Sequence, residues 1–161
     1  SVQWPTGIGA KGNEGVANMT TQTDGAIGYV EYAYAKQNKM AYALLTNKAG
    51  AAVAPNAESF QAAAANADWA HADGYYLILT DQPGAKSWPI TGASFILMYK
   101  QPSNAPAVNE ALTLFAWAYK DGATMAAELD YVPLPAPLIV QVEKTWSTQI
   151  TSGGHPVWSE K

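Results

Sequence analysis

The sequence contains no cysteine and no arginine, and each absence excludes a kind of chemistry. Without cysteine the chain forms no disulfide, offers no thiolate nucleophile and binds no metal through sulfur. All nine basic residues are lysines, so the bidentate arginine clamp that commonly holds planar anions cannot come from this chain. The cellular compartment stays open, because a cysteine-free chain suits a secreted or periplasmic protein as well as a cytosolic one.

Charge and long apolar runs are also scarce. Only 14% of the residues are charged, against about 25% in an average domain, and the formal net charge is −4. Since an acidic chain lacks the basic surface that attracts nucleic acid, we expect no nucleic-acid partner. No apolar run reaches the roughly 20 residues of a membrane-spanning helix. The 161 residues suffice for one ordinary domain, and a start at Ser1 without an initiator methionine or signal peptide indicates a processed, trimmed or internal N-terminus.

The residues that are present alternate between strand and helix patterns, as in an α/β domain. The clearest unit is 24–38, where an Asp24-Gly25 turn, an apolar strand at 26–30 and an aromatic-rich helix follow one another almost without linkers. Further strands are predicted at 2–4, 40–46, 75–80 and 93–99. The last is predicted as a buried central strand that the chain enters through an extended, proline-containing segment at 88–91 and Gly92. Helices are predicted at 13–22, 56–66, 104–121, 123–130 and 137–149, with Asn13 and Asn56 as N-caps and Gly122 as a stop, followed by a loosely packed tail at 151–161.

A glycine-rich loop, GIGAKGNEG at 7–15, precedes the first helix and allows two interpretations. Glycines let backbone N–H groups approach an anion at a helix N-terminus, which makes Gly12 and Asn13 candidate anion-binding residues. The other interpretation is a tight loop that simply leads into a helix. The second is favoured, because Gly7, Gly9 and Gly12 fit the letters of a dinucleotide-binding motif, but no acidic residue follows at the expected distance and no GK[ST] sequence is present.

No set of residues predicts catalysis, a metal centre or a cofactor. The two histidines, His71 and His155, are far apart in sequence and fall in predicted loops, so they indicate solvated residues rather than a metal site or a triad. No GxSxG, HExxH or kinase-type motif is present. Six tryptophans and nine tyrosines could form a sugar-binding platform, although aromatic side chains more often fill a core.

Three longer motifs, in this order, resemble a known family: WPTGIGAKGNEGV at 4–16, DGAIGYVEYAYAKQN at 24–38 and SWPITGASFILMYK at 87–100. Shorter matches are ADW at 67–69, FAWAYKDGA at 115–123, LDYVPLP at 129–135 and VEKTW at 142–146. Over essentially its whole length the sequence is similar to the C-terminal portion of the phosphate-binding component of bacterial phosphate ABC transporters.

The resemblance implies an α/β fold of the class II periplasmic-binding-protein type, in which two lobes joined by crossing strands close on the ligand. In this chain the fold would lack its N-terminal part. Residues 1–87 would belong to the second lobe, and residues 88–161 would cross back and complete the first. The crossing segment, Trp88, Pro89, Ile90 and Thr91, would then be the hinge, because a few residues absorb the change of backbone angles on closure.

The resemblance also implies what the protein binds and where. The family binds inorganic phosphate in the periplasm and delivers it to an ABC permease in the membrane, without catalysis and without a cofactor. Its phosphate ligands lie in upstream segments, including a Thr-Phe pair and an Arg-Asp-Gly-Ser-Gly-Thr run, which nothing here matches. No phosphate ligand of the family is therefore assigned to this chain. A secreted scaffold or binding module of the same fold without phosphate binding is the alternative function, and a small α/β hydrolase is a third.

A chain that holds only part of each lobe would expose apolar faces and unpaired sheet edges. We therefore expect it either to be accompanied by the missing N-terminal polypeptide or to pair with a second copy by swapping elements. A monomeric chain that folds cooperatively on its own would contradict this expectation.

Overall fold

The computed structural model describes residues 3–159, and within that range the chain combines α-helices with short strands. It forms two compact units, one up to Ala43 and one from Leu44 onward. The first contains α1 (Gly12–Gln22) and α2 (Tyr32–Gln37). The second contains β1 (Leu45–Thr46), β2 (Ala52–Val53), α3 (Ala57–Ala65), two short 3-10 helices (Trp69–His71 and Asp73–Tyr75), α4 (Ala105–Asp121), α5 (Ala123–Glu128), α6 (Ala136–Gln149), β3 (Thr151–Ser152) and β4 (His155–Pro156).

The helices form close to where the sequence predicts them. The Asn56 side chain accepts from the Ser59 N–H and the Ser59 hydroxyl accepts from the Asn56 N–H, so α3 begins with a capping box. The Asn104 side chain caps α4 by accepting from the Ala107 N–H, and α4 ends at Gly122 as predicted. The prediction of Asn13 as a cap is wrong, because α1 is preceded by Lys11 and has no side-chain cap.

Most of the predicted strands do not form within residues 3–159. Of the stretches 26–30, 40–46, 75–80 and 93–99, only Leu45–Thr46 pairs with another strand, antiparallel to Ala52–Val53, and Thr80 forms one isolated bridge with Ile90. For the strand predicted at 2–4, position 2 lies outside the described residues, and positions 3 and 4 are not in a strand. A strand exists only where another strand supplies hydrogen-bond partners, and the described residues supply few.

The unpaired stretches carry apolar side chains that face solvent. Ile27 is 99% exposed, Leu97 is 93% exposed and Tyr99 is 84% exposed. The prediction that 88–100 contains a buried central strand is therefore wrong for the chain as it stands. Exposing whole apolar stretches is costly, since burying one such side chain contributes about 1.5–3 kcal/mol, and contiguous apolar patches of this kind typically mark an interaction surface.

Two apolar clusters stabilise the second unit. The first joins Ala64 of α3, Trp69 and Leu79 to Leu138 of α6. Its tryptophan is fixed by a hydrogen bond from its indole nitrogen to the Ala64 carbonyl oxygen, 2.7 Å long. The cluster therefore draws together residues on both sides of the crossing segment.

The second cluster lies under the C-terminal tail. Leu112 of α4 has no exposed surface, and Ile150 and Trp158 are each 6% exposed. Between the last two residues the chain forms the β3–β4 hairpin around Gly153 and Gly154, whose φ angles of +58° and +82° suit a tight turn of type I′. The prediction of a loosely packed tail is wrong over 151–159, because a glycine pair turns the chain back and Trp158 packs into the core.

Candidate functional site

The glycine-rich loop leads directly into α1, and of its two candidate anion-binding residues Asn13 already has a side-chain partner. Gly12 has a φ of +69° and begins the helix. The Asn13 side-chain oxygen accepts from the Glu31 N–H at 2.9 Å. The Glu14 carboxylate accepts from the Tyr34 hydroxyl at 3.0 Å, and a hydrogen bond from its own backbone N–H, followed by that hydroxyl, lowers the pKa of this carboxyl. The N-terminal end of α1 thus already carries a negative charge, the carboxylate of the chain's own Glu14.

The crossing segment begins at a buried tryptophan. Trp88 is buried, and its ring meets that of Phe60 edge-on with centroids 6.3 Å apart. Its backbone N–H donates to the Ser59 carbonyl oxygen at 3.0 Å. The Pro89 carbonyl oxygen accepts from the Asp81 N–H at 2.8 Å. The start of the crossing segment is therefore attached by both side chain and backbone to the residues that precede it.

A buried asparagine secures the loop just before this segment. The Asn47 side-chain amide donates to the carbonyl oxygens of Gly84, Ala85 and Ser87 at 3.0–3.1 Å. Its side-chain oxygen accepts from the N–H groups of Ala49 and Ala51, both at 3.0 Å. Asn47 is 6% exposed; its bond to the Ser87 carbonyl oxygen is buried and the other four are partly buried.

Ser87 extends the same arrangement. It has no exposed surface; its hydroxyl donates to the Pro83 carbonyl oxygen at 2.6 Å and accepts from the Asn66 side-chain amide at 3.3 Å. We call Asn47, Asn66 and Ser87, with the backbone of 83–87 that they hold, the Asn47 clamp. The sequence indicates turns at 47–55 and 81–87, but a link between two loops 40 residues apart leaves no local pattern.

Beyond the crossing segment these attachments stop. The Thr91 hydroxyl still donates to the Trp88 carbonyl oxygen at 3.1 Å, and the next backbone hydrogen bond of the described chain reaches Lys100, whose carbonyl oxygen accepts from the Thr151 N–H at 2.8 Å. At Gly92 an added methyl group would meet nothing within 4 Å. Backbone hydrogen bonds thus hold the first two predicted hinge residues, whereas the stretch 92–99 is attached through the partly buried side chains of Ala93 and Met98, which pack against the two apolar clusters.

Other candidate groups do not assemble into a centre within residues 3–159. His71 lies in a short 3-10 helix, and its Nδ1 is 2.8 Å from both oxygens of the exposed Asp68 carboxylate. No cluster of three or more histidine, aspartate or glutamate side chains suits a metal ion in this range. Trp146 stacks on Tyr119 and meets Trp158 edge-on, so these aromatic rings pack together as core.

A shallow groove of about 250 Å³ lies beside the Asn47 clamp. Its lining includes the exposed ion pair between Lys86 and Glu58 and the capping pair Asn56 and Ser59. Across the described part of the chain, every buried side-chain nitrogen and oxygen has a hydrogen-bond partner. The described residues of the groove therefore present no buried, unpaired side-chain donor of the kind that an anion site can provide. Among these residues, too, no helix combines the length and apolarity needed to cross a bilayer.

The known proteins to which this chain is similar belong to one class, the phosphate-binding proteins. The phosphate-binding protein PstS of Pasteurella multocida is 52% identical over 159 residues, which make up 98% of this chain and 46% of that protein. The proteins of the same name from Xylella fastidiosa strain 9a5c and Haemophilus influenzae are 52% and 50% identical over 92% and 93% of the chain, which cover 41% and 45% of their own lengths. No protein-family model matches.

In particular, the relatives that are about 50% identical over most of this chain are phosphate-binding proteins named PstS, and the chain corresponds to a C-terminal portion of them. The resemblance that the sequence motifs predict is thereby confirmed. The chain spans less than half the length of these relatives.

Proposed function

We propose that this chain is the C-terminal portion of a periplasmic protein that binds inorganic phosphate for uptake by an ABC transporter. The observation that carries the proposal is the identity of 52% over 98% of the chain to the phosphate-binding protein PstS of Pasteurella multocida. Identity at that level along almost every residue favours a shared role. The partner of the complete protein would be an ABC permease in the membrane, and its role would be binding without catalysis or a cofactor.

The residues that hold phosphate lie, in this proposal, outside the chain. Two observations on the described residues support it: the chain has no arginine, and no buried polar side-chain atom is left without a partner. At the one candidate end, Gly12 and Asn13, the Glu14 carboxylate would repel a phosphate. Anion binding by Gly12 and Asn13 therefore stays a prediction that phosphate titration of the chain alone can test.

The unpaired apolar stretches are the surfaces on which the rest of the protein would pack. Ile27, Leu97 and Tyr99 are almost entirely exposed in the chain, and strand pairing would both bury them and satisfy the backbone of their stretches. We propose the missing N-terminal polypeptide as the partner, because the relatives are more than twice as long as the part they share with this chain. A second copy that swaps elements is the alternative partner.

The proposed architecture is two lobes, with residues 1–87 in the second lobe and residues 88–161 completing the first. The crossing segment, Trp88 to Thr91, would be the hinge between them. Trp88 donates a backbone hydrogen bond to Ser59, whereas the described stretch after Thr91 forms none before Lys100. This difference in backbone hydrogen bonding supports a hinge in the segment.

The test is fragment complementation. The chain is mixed with the part of the Pasteurella multocida protein that precedes its aligned residues, and phosphate binding is measured by isothermal titration calorimetry. We expect the mixture to form a one-to-one complex that binds phosphate, whereas the chain alone binds none. Formation of the complex without phosphate binding would favour the scaffold function, and a stable homodimer of the chain would favour the swapped copy.

A further inference from the structure

The stretch 93–99, ASFILMY, has a composition that favours pairing between identical strands. It contains no charged residue, no proline and no glycine, and its phenylalanine, isoleucine and tyrosine are strong strand formers. Segments of this kind stack on copies of themselves, because the backbone of each strand pairs with the next and identical side chains interdigitate. Since the stretch is uncharged, its copies meet without repulsion between like charges.

The structure leaves both faces of this stretch accessible. Neighbouring side chains of an extended chain point to opposite faces, and the neighbours Phe95, Ile96 and Leu97 are 50%, 60% and 93% exposed. Positions 93–99 form no strand. Among residues 3–159, the backbone hydrogen bonds outside helices and strands do not involve these positions either. Side chains and backbone are therefore both available to a partner strand.

The two ends of the stretch are attached to the folded second unit. Ala93 packs against the first apolar cluster and Met98 against the second. These contacts hold the stretch at the surface between them, with Phe95, Ile96 and Leu97 exposed. The chain therefore presents this surface without having to unfold.

The other unpaired stretches offer only one face. In 75–80, Leu79 is 3% exposed and Leu77 packs against the first cluster, so one face is already covered. In 26–30, a methyl group added at Gly28 would collide with the Thr20 hydroxyl of α1, so one face lies against that helix. A stack of identical strands that also interdigitates its side chains is best served by 93–99.

We propose that the chain, without the missing polypeptide, associates with further copies of itself by pairing 93–99 with the same stretch of the next copy. The inference goes beyond the proposed function, since it requires neither phosphate nor the rest of the protein. It also differs from a swap of elements between two copies, which gives a closed dimer. A strand that is paired along one edge keeps its other edge open, so the stack accepts further copies.

Sedimentation velocity of the 161-residue chain over a series of concentrations tests the association. We expect monomers at low concentration and, above a threshold, species larger than dimers. Infrared spectra should show intermolecular β-structure above the same threshold. A chain that remains monomeric, or that stops at a dimer at every concentration, would overturn the proposal.

Two substitutions place a charge on opposite faces of the stretch. Ile96→Lys and Leu97→Lys alter exposed side chains, so both variants should keep the circular dichroism spectrum of the unaltered chain. We expect each to raise the threshold concentration by about tenfold or more, because like charges would meet in every pair of copies. The net charge of −4 makes an added lysine lower the overall repulsion between chains, so a general charge effect would act in the opposite direction.

Leu114→Lys is the matched control. Leu114 lies on α4 and is 57% exposed, close to the 60% of Ile96, so the same charge is added outside the stretch. This variant should not raise the threshold. An equal rise in Leu114→Lys and Ile96→Lys would refute a role of 93–99.

A competition experiment separates this inference from the proposed function. The assembled chain is mixed with the part of the Pasteurella multocida protein that precedes its aligned residues. If that part covers 93–99, as the proposed function expects, the large species should dissociate into one-to-one complexes. If they persist while the two lysine variants remain monomeric, the result would count against the missing polypeptide as the partner of this stretch and would support self-association.

Discussion

Replacing Leu97 by alanine tests whether the exposed stretch 92–99 is an interface for missing polypeptide. Leu97 is 93% exposed in the chain, so Leu97→Ala should leave the stability of the chain itself almost unchanged. If the missing part covers this side chain, its burial contributes about 2 kcal/mol to assembly. At 1.4 kcal/mol for each factor of ten, the substitution should weaken association by about thirtyfold.

In the assay, the chain carries a fluorophore and is titrated with the part of the Pasteurella multocida protein that precedes its aligned residues. Fluorescence anisotropy reports the binding. Leu114→Ala on α4 is the matched control, because that leucine is also exposed, at 57%, but lies outside the stretch. Leu112→Ala is the opposite control: its side chain is wholly buried, so the substitution should destabilise the chain by about 2–5 kcal/mol before any partner is added. Equal affinities for Leu97→Ala and Leu114→Ala would refute the reasoning.

Two further predictions concern the chain itself. Gly84→Ala should lower the free energy of unfolding by at least about 1 kcal/mol, because the added methyl group would collide with Asn66 and the φ of +106° disfavours alanine. Urea titration measures this free energy. An equal or larger loss of stability in Gly50→Ala, where nothing lies within 4 Å of the added methyl group, would contradict the steric cause. Burial, followed by the charge of Glu143, raises the pKa of Tyr119. As the pH rises, the unfolded chain loses the Tyr119 proton before the folded chain does. The contribution of this tyrosine to stability should therefore be constant below the ordinary tyrosine pKa of about 10 and fall as the pH rises above it. Melting temperatures measured between about pH 8 and pH 11 should fall less in Tyr119→Phe than in the unaltered chain, and an identical fall would exclude Tyr119 as the source.

The sequence predicts the helices well because their signals are local. The Asn56 and Asn104 caps and the Gly122 stop act within one turn of the chain, and α3, α4 and their ends lie where these residues place them. Strands are different. An apolar run such as 93–99 indicates only that the segment can be buried, because the strand that would pair with it lies elsewhere in the sequence. The same limit hides the Asn47 clamp, whose two loops carry ordinary turn residues and meet only in the fold.

The C-terminal tail contains local signals for the structure that it adopts. The Gly153-Gly154 pair is a recognised hairpin turn, and a tryptophan four residues later has more apolar surface than a free tail normally carries. Together they indicate the β3–β4 hairpin and the burial of Trp158 against α4 and α6. Asn13 shows the reverse case, since its type suits a cap but its side chain accepts instead from Glu31, 18 residues away.

An incomplete binding protein can lack its ligand or lack part of its own chain, and these two conditions leave different traces. A site emptied of an anion leaves buried donors that point at nothing, because an anion satisfies N–H and O–H groups that water no longer reaches. A missing stretch of polypeptide leaves apolar side chains in solvent and strand backbone without partners. In residues 3–159 every buried side-chain nitrogen and oxygen has a hydrogen-bond partner, while Ile27, Leu97 and Tyr99 are exposed. That combination favours missing polypeptide over a missing ligand, and so favours a phosphate site built mainly by the part of the family that this chain does not contain.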